Sequence, residues 1–441
     1  PSDILIEPDG SVRGGTVPAL VERLTAHEQA DTTFTKAFLM TYKSFTTLNG
    51  LFDTLVDRFR IQPPENLTPA EYEEWGKLKQ HVIQMRYMFP DLLRYDPSSF
   101  SRRVINTLKS MVVDDDVLDK EDAYILDRMK EFISSEEVSR FAAAKQLMNT
   151  IERAVRDGVK TLVNTSLGPP PAPIYPKTNK KLKLLDIDPL ELARQLTIME
   201  SLLYQKIKPM ECLQRSREQK TEHVDNITTK IIHFFYQIAC WVADAVLSKE
   251  DARKRAQVVK HLISVADRCR TLNNFSSMIA ITSGLNTPPI RRLKRTWEQV
   301  NPRFMAQFGA CEMTIDSNKN FTKYRQLMAS VTPPCVPFIG VFLSTLQFIQ
   351  DGNPDNLPGG LVNFRKRQKA SEVISDIKRW QAQPFNFHHL QTVLAYIEEC
   401  LASYNDTKAL SEHFWARSLE REPREREDEK MARLLQESGF L

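Results

Sequence analysis

Pro333-Pro334-Cys335-Val336-Pro337-Phe338-Ile339-Gly340-Val341-Phe342-Leu343, continuing to Gln350-Asp351-Gly352-Asn353-Pro354 and then Val362-Asn363-Phe364-Arg365-Lys366-Arg367, is the stretch that decides how this chain folds. From Phe338 to Gln350 the pattern reads as a helix, and Gly352-Asn353-Pro354 stops it, because proline lacks the N–H a helix needs and restricts the residue before it. From Leu361 to Gln383, Phe364, Val373, Ile374, Ile377 and Trp380 return at helical spacing. Two helices joined by such a stop make a hairpin that projects from a larger bundle. Pro333, Pro334 and Pro337 restrict the backbone at its base and keep it preorganised.

The flanking sequence carries the same helical period. Leu192, Leu196, Met199, Leu203 and Ile207 form one apolar stripe, Ile227, Ile231, Phe234, Ile238 and Trp241 a second, and Val258, Leu262, Val265 and Cys269 a third. Each reads as a core face that needs no cofactor. Glycine is scarce, with 14 in 441 residues, which favours helix over sheet. The expected fold is therefore all-α, with two helical domains, the second a bundle bearing the hairpin. The boundary falls at Gly168-Pro169-Pro170-Pro171-Ala172-Pro173-Ile174-Tyr175-Pro176, where five prolines impose an extended polyproline conformation. This run reads first as a spacer and second as a docking site for an SH3-like partner. The expected order is a helical domain over 1–163, closed within by Pro63-Pro64, a proline-rich linker over 164–184, a second domain over 185–424 and a charged tail over 425–441. That tail includes a short helix through Met431, Leu434 and Leu435.

Sixty basic and 56 acidic side chains leave a net charge of +4, too little for the concentrated stripe that tracks phosphates, so nucleic acid is not an expected partner. Cys212, Cys240, Cys269, Cys311, Cys335 and Cys400 lie far apart and read as reduced thiols of a cytosolic protein. No apolar run approaches the roughly 20 residues that cross a bilayer, so direct membrane insertion is not expected. A start at Pro1 rather than Met suggests a piece of something longer. The acidic run Asp114-Asp115-Asp116 reads as a turn between helices rather than a metal site, and His388-His389 as a surface pair, because neighbours on a helix diverge by about 100°. No phosphate-cradling, zinc-binding or nucleophile-elbow motif occurs. Neither a cofactor nor a metal is expected.

Three stretches resemble the signature blocks of the Ras guanine-nucleotide exchange factor catalytic domain, the family of Son-of-sevenless and the fungal Ras activators. The first is Leu192 to Glu200, continuing through Tyr204 to Ile207-Lys208-Pro209-Met210-Glu211-Cys212. The second runs from Arg255 through Leu272-Asn273-Asn274-Phe275 and Ser283-Gly284-Leu285-Asn286 to Pro289-Ile290-Arg291-Arg292-Leu293 and Trp297. The third is the hairpin stretch itself. Ser418-Leu419-Glu420-Arg421-Glu422-Pro423-Arg424 stands where members of that family end in a Ser-Leu-x-x-Glu-Pro-Arg motif. Gly14-Gly15-Thr16, Leu20 to Leu24 and Phe38 to Phe45 resemble the domain that precedes the catalytic one.

The resemblance implies a regulator of a Ras-type small GTPase rather than an enzyme making bonds, recruited peripherally to the inner face of the membrane where the GTPase resides. The hairpin would wedge the GTPase switch region from its nucleotide. Asp351 matches an acidic residue that repels the phosphates; Gln347 falls where Son-of-sevenless has a leucine shielding the metal; Ser344 and Asn353 match hairpin contacts, and Phe338 begins the wedge. Asn286, Phe321, Lys369 and Arg292 fall at GTPase-touching positions, and His233 stands where Son-of-sevenless has an arginine. Exchange on Rap or Ral, and a GTPase-binding scaffold without exchange, are the competing expectations.

Overall fold

The computed structural model describes residues 3–26, 31–60, 68–71, 97–114, 117–157, 167–217 and 226–439. Pro63-Pro64 and Asp115-Asp116 lie outside them; Asp114 follows directly on the helix Pro97–Val113. The chain separates into two compact units. One gathers Pro1–Val163, Lys208–Thr221 and Phe342–Lys378; the other gathers Asn164–Ile207, Glu222–Val341 and Arg379–Leu441.

The first unit is mostly helical: Val17–Leu24, Thr32–Thr41, Leu48–Phe59, Pro97–Val113, Tyr124–Ser134 and Ala142–Asp157. Its first three helices begin at side-chain caps, with Thr16, Asp31 and Thr47 accepting from the N–H groups of Ala19, Phe34 and Gly50. Leu20, Phe38, Leu51, Leu55, Ile105, Leu108, Met129 and Leu147 fill one apolar core, which also takes in Val362 and Phe364 from far along the chain.

That capture explains the main departure from an all-helical expectation. Strands β1 (Ile4–Ile6) and β2 (Val12–Gly15) form an antiparallel pair, and two two-residue strands, β3 (Asn356–Leu357) and β4 (Leu361–Val362), extend it in the order β1-β2-β4-β3, with Gly15 opposite Val362. A Cβ on Gly14 would stand 2.6 Å from the Val362 carbonyl oxygen, so this pairing needs glycine there. The two helices of the expected hairpin are accordingly Ile339–Gly352 and Phe364–Arg379. The second starts later than the pattern predicts because Leu361 and Val362 pair as strand.

The second unit is built on Pro189–Tyr204, Ile227–Leu247, Ala252–Thr271, Phe275–Asn286 and Pro302–Thr314, with Gln391–Leu401 and Thr407–Arg421 packed on Ile227–Leu247. Ile227–Leu247 corrects one expectation: by length and composition this 21-residue helix could cross a membrane. Its apolar residues are used otherwise, since Ile231, Phe234, Ile238, Trp241, Val242 and Val246 are buried against its neighbours. Phe275–Asn286 approaches it closely, since a Cβ on Gly284 would stand 2.6 Å from the Ala239 carbonyl oxygen. The glycine in Ser283-Gly284-Leu285 is thus a packing requirement. The short tail helix Glu427–Glu437 exposes Met431, Leu434 and Leu435.

Candidate functional site

The second unit holds the base of the hairpin. The N–H of Val336 donates to the Asn273 carbonyl at 2.9 Å, and the Val336 carbonyl accepts from the N–H of Phe275 at 3.0 Å. The Leu-Asn-Asn-Phe and Pro-Pro-Cys-Val-Pro-Phe blocks therefore grip each other. Asn273 makes the grip by turning left-handed, at φ 62°, a conformation asparagine tolerates better than most residues. Asn274 is fully buried: its side-chain carbonyl caps Phe275–Asn286 at Ser277, and its amide donates to Thr197 and Ser277 hydroxyls, both at 2.9 Å. Asn274 is an internal brace, as a buried amide with satisfied bonds should be, whereas half-buried Asn273 acts through its backbone.

Beneath them lies a group that sequence patterns did not single out. Glu200 is buried, and its two carboxylate oxygens accept from Ser276 and Ser277 hydroxyls, each at 2.7 Å. Burial pushes this carboxyl up to about 7, against the hydrogen bonds from Ser277 and Ser276, which pull it down. The N–H of Phe338 donates to the Tyr324 hydroxyl at 2.8 Å, and the half-buried Phe338 ring lies 5.6 Å from that of Phe235.

The hairpin residues Ser344, Gln347, Asp351, Asn353 and Lys369 belong to the first unit. Ser344 and Asp351 are exposed, and one turn apart on the helix Gln347 Nε2 donates to Asp351 Oδ1 at 2.9 Å. The amide therefore orients the carboxylate, a role not evident from its place in the motif. Asn353 Nδ2 closes the helix on the Ile349 carbonyl at 2.9 Å, and Lys369 Nζ stands 3.5 Å from Asn353 Oδ1. Four of the five are thus linked in two pairs at the tip.

Behind the tip the turn is anchored. Arg367 is buried and donates to the Ser44 hydroxyl at 3.1 Å, the Ser44 carbonyl at 3.3 Å and the Asp355 carbonyl at 2.6 Å, while Lys366 pairs with Asp355 at 2.9 Å. The Phe364 ring packs 4.6 Å from Phe34. Within the basic run Arg365-Lys366-Arg367 two of the three members are buried. Only the partners, more than 300 residues away for Ser44, reveal this.

The remaining expected residues belong to the second unit and are described within it. His233 is exposed on Ile227–Leu247, beside Phe234 and two turns before Cys240. Asn286 ends its helix and donates to Glu312 at 3.2 Å. Phe321 is half-buried in a left-handed turn with Lys319 and Asn320 at φ 51–57°, a conformation costing an L-residue about 1–2 kcal/mol. Arg292 donates to Ser418 O and Oγ at 2.8 and 2.9 Å and to the Glu422 carbonyl at 2.6 Å. Glu422 meanwhile pairs with the buried Arg255 at 3.2 Å and accepts from Thr296 at 2.8 Å. Ser418 and Glu422 of the Ser-Leu-x-x-Glu-Pro-Arg stretch thus make a buried clasp on the bundle, where sequence alone marked only a family ending.

Cys212, Cys269, Cys311 and Cys335 are buried, Cys240 and Cys400 half-buried, and His388 and His389 are exposed. Among the described residues no three His, Cys, Asp or Glu converge as a metal site would require.

The sequence blocks described within each unit mark a class, the Ras exchange factors. The chain belongs to the RasGEF family. The RasGEF domain matches residues 191–368 and the RasGEF N-terminal motif residues 11–132. It is similar to cell division control protein 25 of Candida albicans, 35% identical over 96% of this chain, and to the protein son of sevenless of Drosophila melanogaster, 30% identical over 94%. Ras guanine nucleotide exchange factor J of Dictyostelium discoideum is 30% identical, also over 94%. The chain spans 31%, 27% and 49% of those proteins.

Proposed function

We propose that this chain is a guanine-nucleotide exchange factor that binds a Ras-type small GTPase, opens its switch region with the hairpin, and promotes GDP release and GTP loading without covalent chemistry. The observation that carries this reading is the seated turn. Arg367, Phe364 and Val362 anchor the hairpin to the N-terminal helices, while Asp351 is left exposed at its tip, steadied by Gln347. A lever needs a fixed back and a free front.

The energetics set what the lever must do. A nucleotide held at nanomolar to picomolar affinity is bound by roughly 12–16 kcal/mol, so a competing interface must be large. A carboxylate near the phosphates adds charge repulsion. Coupling is reciprocal: an exchanger that loosens nucleotide is itself loosened by nucleotide, so GTP can expel it. An acceleration of 10⁵ corresponds to about 7 kcal/mol.

In this reading Asp351, Gln347, Phe338, Ser344 and Asn353 act as the wedge, and Asn286, His233, Phe321, Lys369 and Arg292 as further GTPase contacts. Arg292, held by Ser418 and Glu422, has the least freedom to turn outward. The domain order 1–163, 164–184, 185–424 and 425–441 gives bracing, linking, exchanging and tail segments. The chain would work in the cytoplasm at the membrane face that carries its GTPase. The proline run is read first as the link between these segments and second as a ligand for an SH3-type partner.

Release of fluorescent GDP from Ras, Rap and Ral tests the reading. Acceleration is expected for Ras; acceleration of Rap or Ral alone overturns the Ras assignment, and none with any of the three favours a scaffold.

A further inference from the structure

The proline-rich run is not a loose spacer. Leu167, Pro170, Pro173 and Pro176 are half-buried, whereas Pro169, Pro171, Ala172, Ile174 and Tyr175 are exposed. A burial period of three is that of a polyproline II helix lying with one ridge against a surface. Its anchors belong to the same compact unit. Arg194 Nη1 donates to the Ala172 carbonyl at 3.2 Å, the Ile174 N–H donates to Glu191 Oε2 at 3.3 Å, and Asn386 donates to the Gly168 carbonyl.

The receiving surface is built for the purpose. The buried Glu191 carboxylate is held by Arg194 at 2.9 Å and by Gln195 at 3.0 Å. Gln195 also fixes the 385–390 segment through the His388 carbonyl and the Leu390 N–H. Arg194 lies over the Phe387 ring at 5.8 Å, and Phe387 stacks on Phe385 at 5.7 Å. Hydrogen-bond donors beside aromatic rings are the means by which polyproline ligands are recognised.

The run contains Pro-x-x-Pro in one register, Pro170/Pro173/Pro176, and that is the ridge turned inward. We propose that the first turns of Pro189–Tyr204 with residues 385–388 form an internal polyproline receptor, and that an SH3-class domain takes residues 167–176 only by displacing them from it. This rests on the reading of the run as an SH3 ligand. The tether gives the internal docking an effective concentration of order millimolar, which an external domain must overcome.

The test compares a panel of purified SH3 domains for binding to a synthetic peptide of residues 167–178, to the whole chain, and to whole chains carrying Arg194→Ala or Asn386→Ala, by fluorescence anisotropy. Domains that bind the peptide should bind the whole chain at least tenfold more weakly, and each substitution should recover most of that loss while far-UV circular dichroism stays unchanged. Equal binding to peptide and chain overturns the internal docking; so does a tenfold gap that neither substitution narrows. If no domain binds the free peptide, the SH3 reading itself fails.

Discussion

At Asp351 the proposed chemistry rests on one exposed carboxylate. Its only described hydrogen-bond partner is Gln347 at 2.9 Å, one helical turn away, so Asp351→Ala removes charge without removing packing. The melting temperature should stay unchanged while GDP release slows at least tenfold, a loss of about 1.4 kcal/mol in barrier lowering. Equal rates would remove the carboxylate from the mechanism. Gln347→Ala should produce a smaller loss, since the carboxylate keeps its charge and loses its orientation. Glu200 gives a different expectation. Its carboxyl titrates near 7 in the folded chain against an ordinary value of 4.5, so between those values the native state keeps a proton that the unfolded state sheds. Stability contributed there is present below pH 4.5, falls as pH rises, and is gone above about 7, a change on the order of 3 kcal/mol. Urea denaturation at pH 5 and pH 8 should show Glu200→Gln gaining on the unsubstituted chain as pH rises. Parallel behaviour at the two pH values would show that Glu200 does not titrate in this window.

Among the elements, the two helices Ile339–Gly352 and Phe364–Arg379 were largely legible and the segment between them was not. Helical spacing marked both helices and Gly352-Asn353-Pro354 marked the stop, because these are local properties of the chain. Strands β3 and β4 were invisible, since two-residue strands carry no periodicity and exist through pairing with each other and, for β4, with Gly15. The burial of Arg367 was hidden for the same reason: a guanidinium within a basic run looks solvated until Ser44 and Asp355 are seen around it. This turn is where the bracing can be tested. Phe364 is fully buried between Phe34 and Phe38, so Phe364→Ala should cost about 3–5 kcal/mol. Hydrogen exchange should quicken through residues 356–367, and GDP release should slow with it. Faster hydrogen exchange in that segment with an unchanged release rate would show that the seat serves stability alone.

For the molecule as a whole, composition and three apolar stripes sufficed for a helical fold, and the motif blocks pointed to the family. What they could not give was which distant segments share a core: Val362 and Phe364 join residues 12–151 through contacts that no linear pattern encodes. Nor did they separate support from display. Asn274, Glu422 and Ser418 lie in motif blocks yet are buried and saturated with hydrogen bonds, whereas Ser344 and Asp351 face solvent. The central claim is that the displayed tip competes with nucleotide for one site. Its most direct test is to mix the chain with GDP-loaded Ras, isolate the complex by gel filtration and quantify the nucleotide it retains. A stoichiometric complex free of GDP, dissolved by added GTP, is expected; a complex that keeps its GDP, or that GTP leaves intact, would contradict the account.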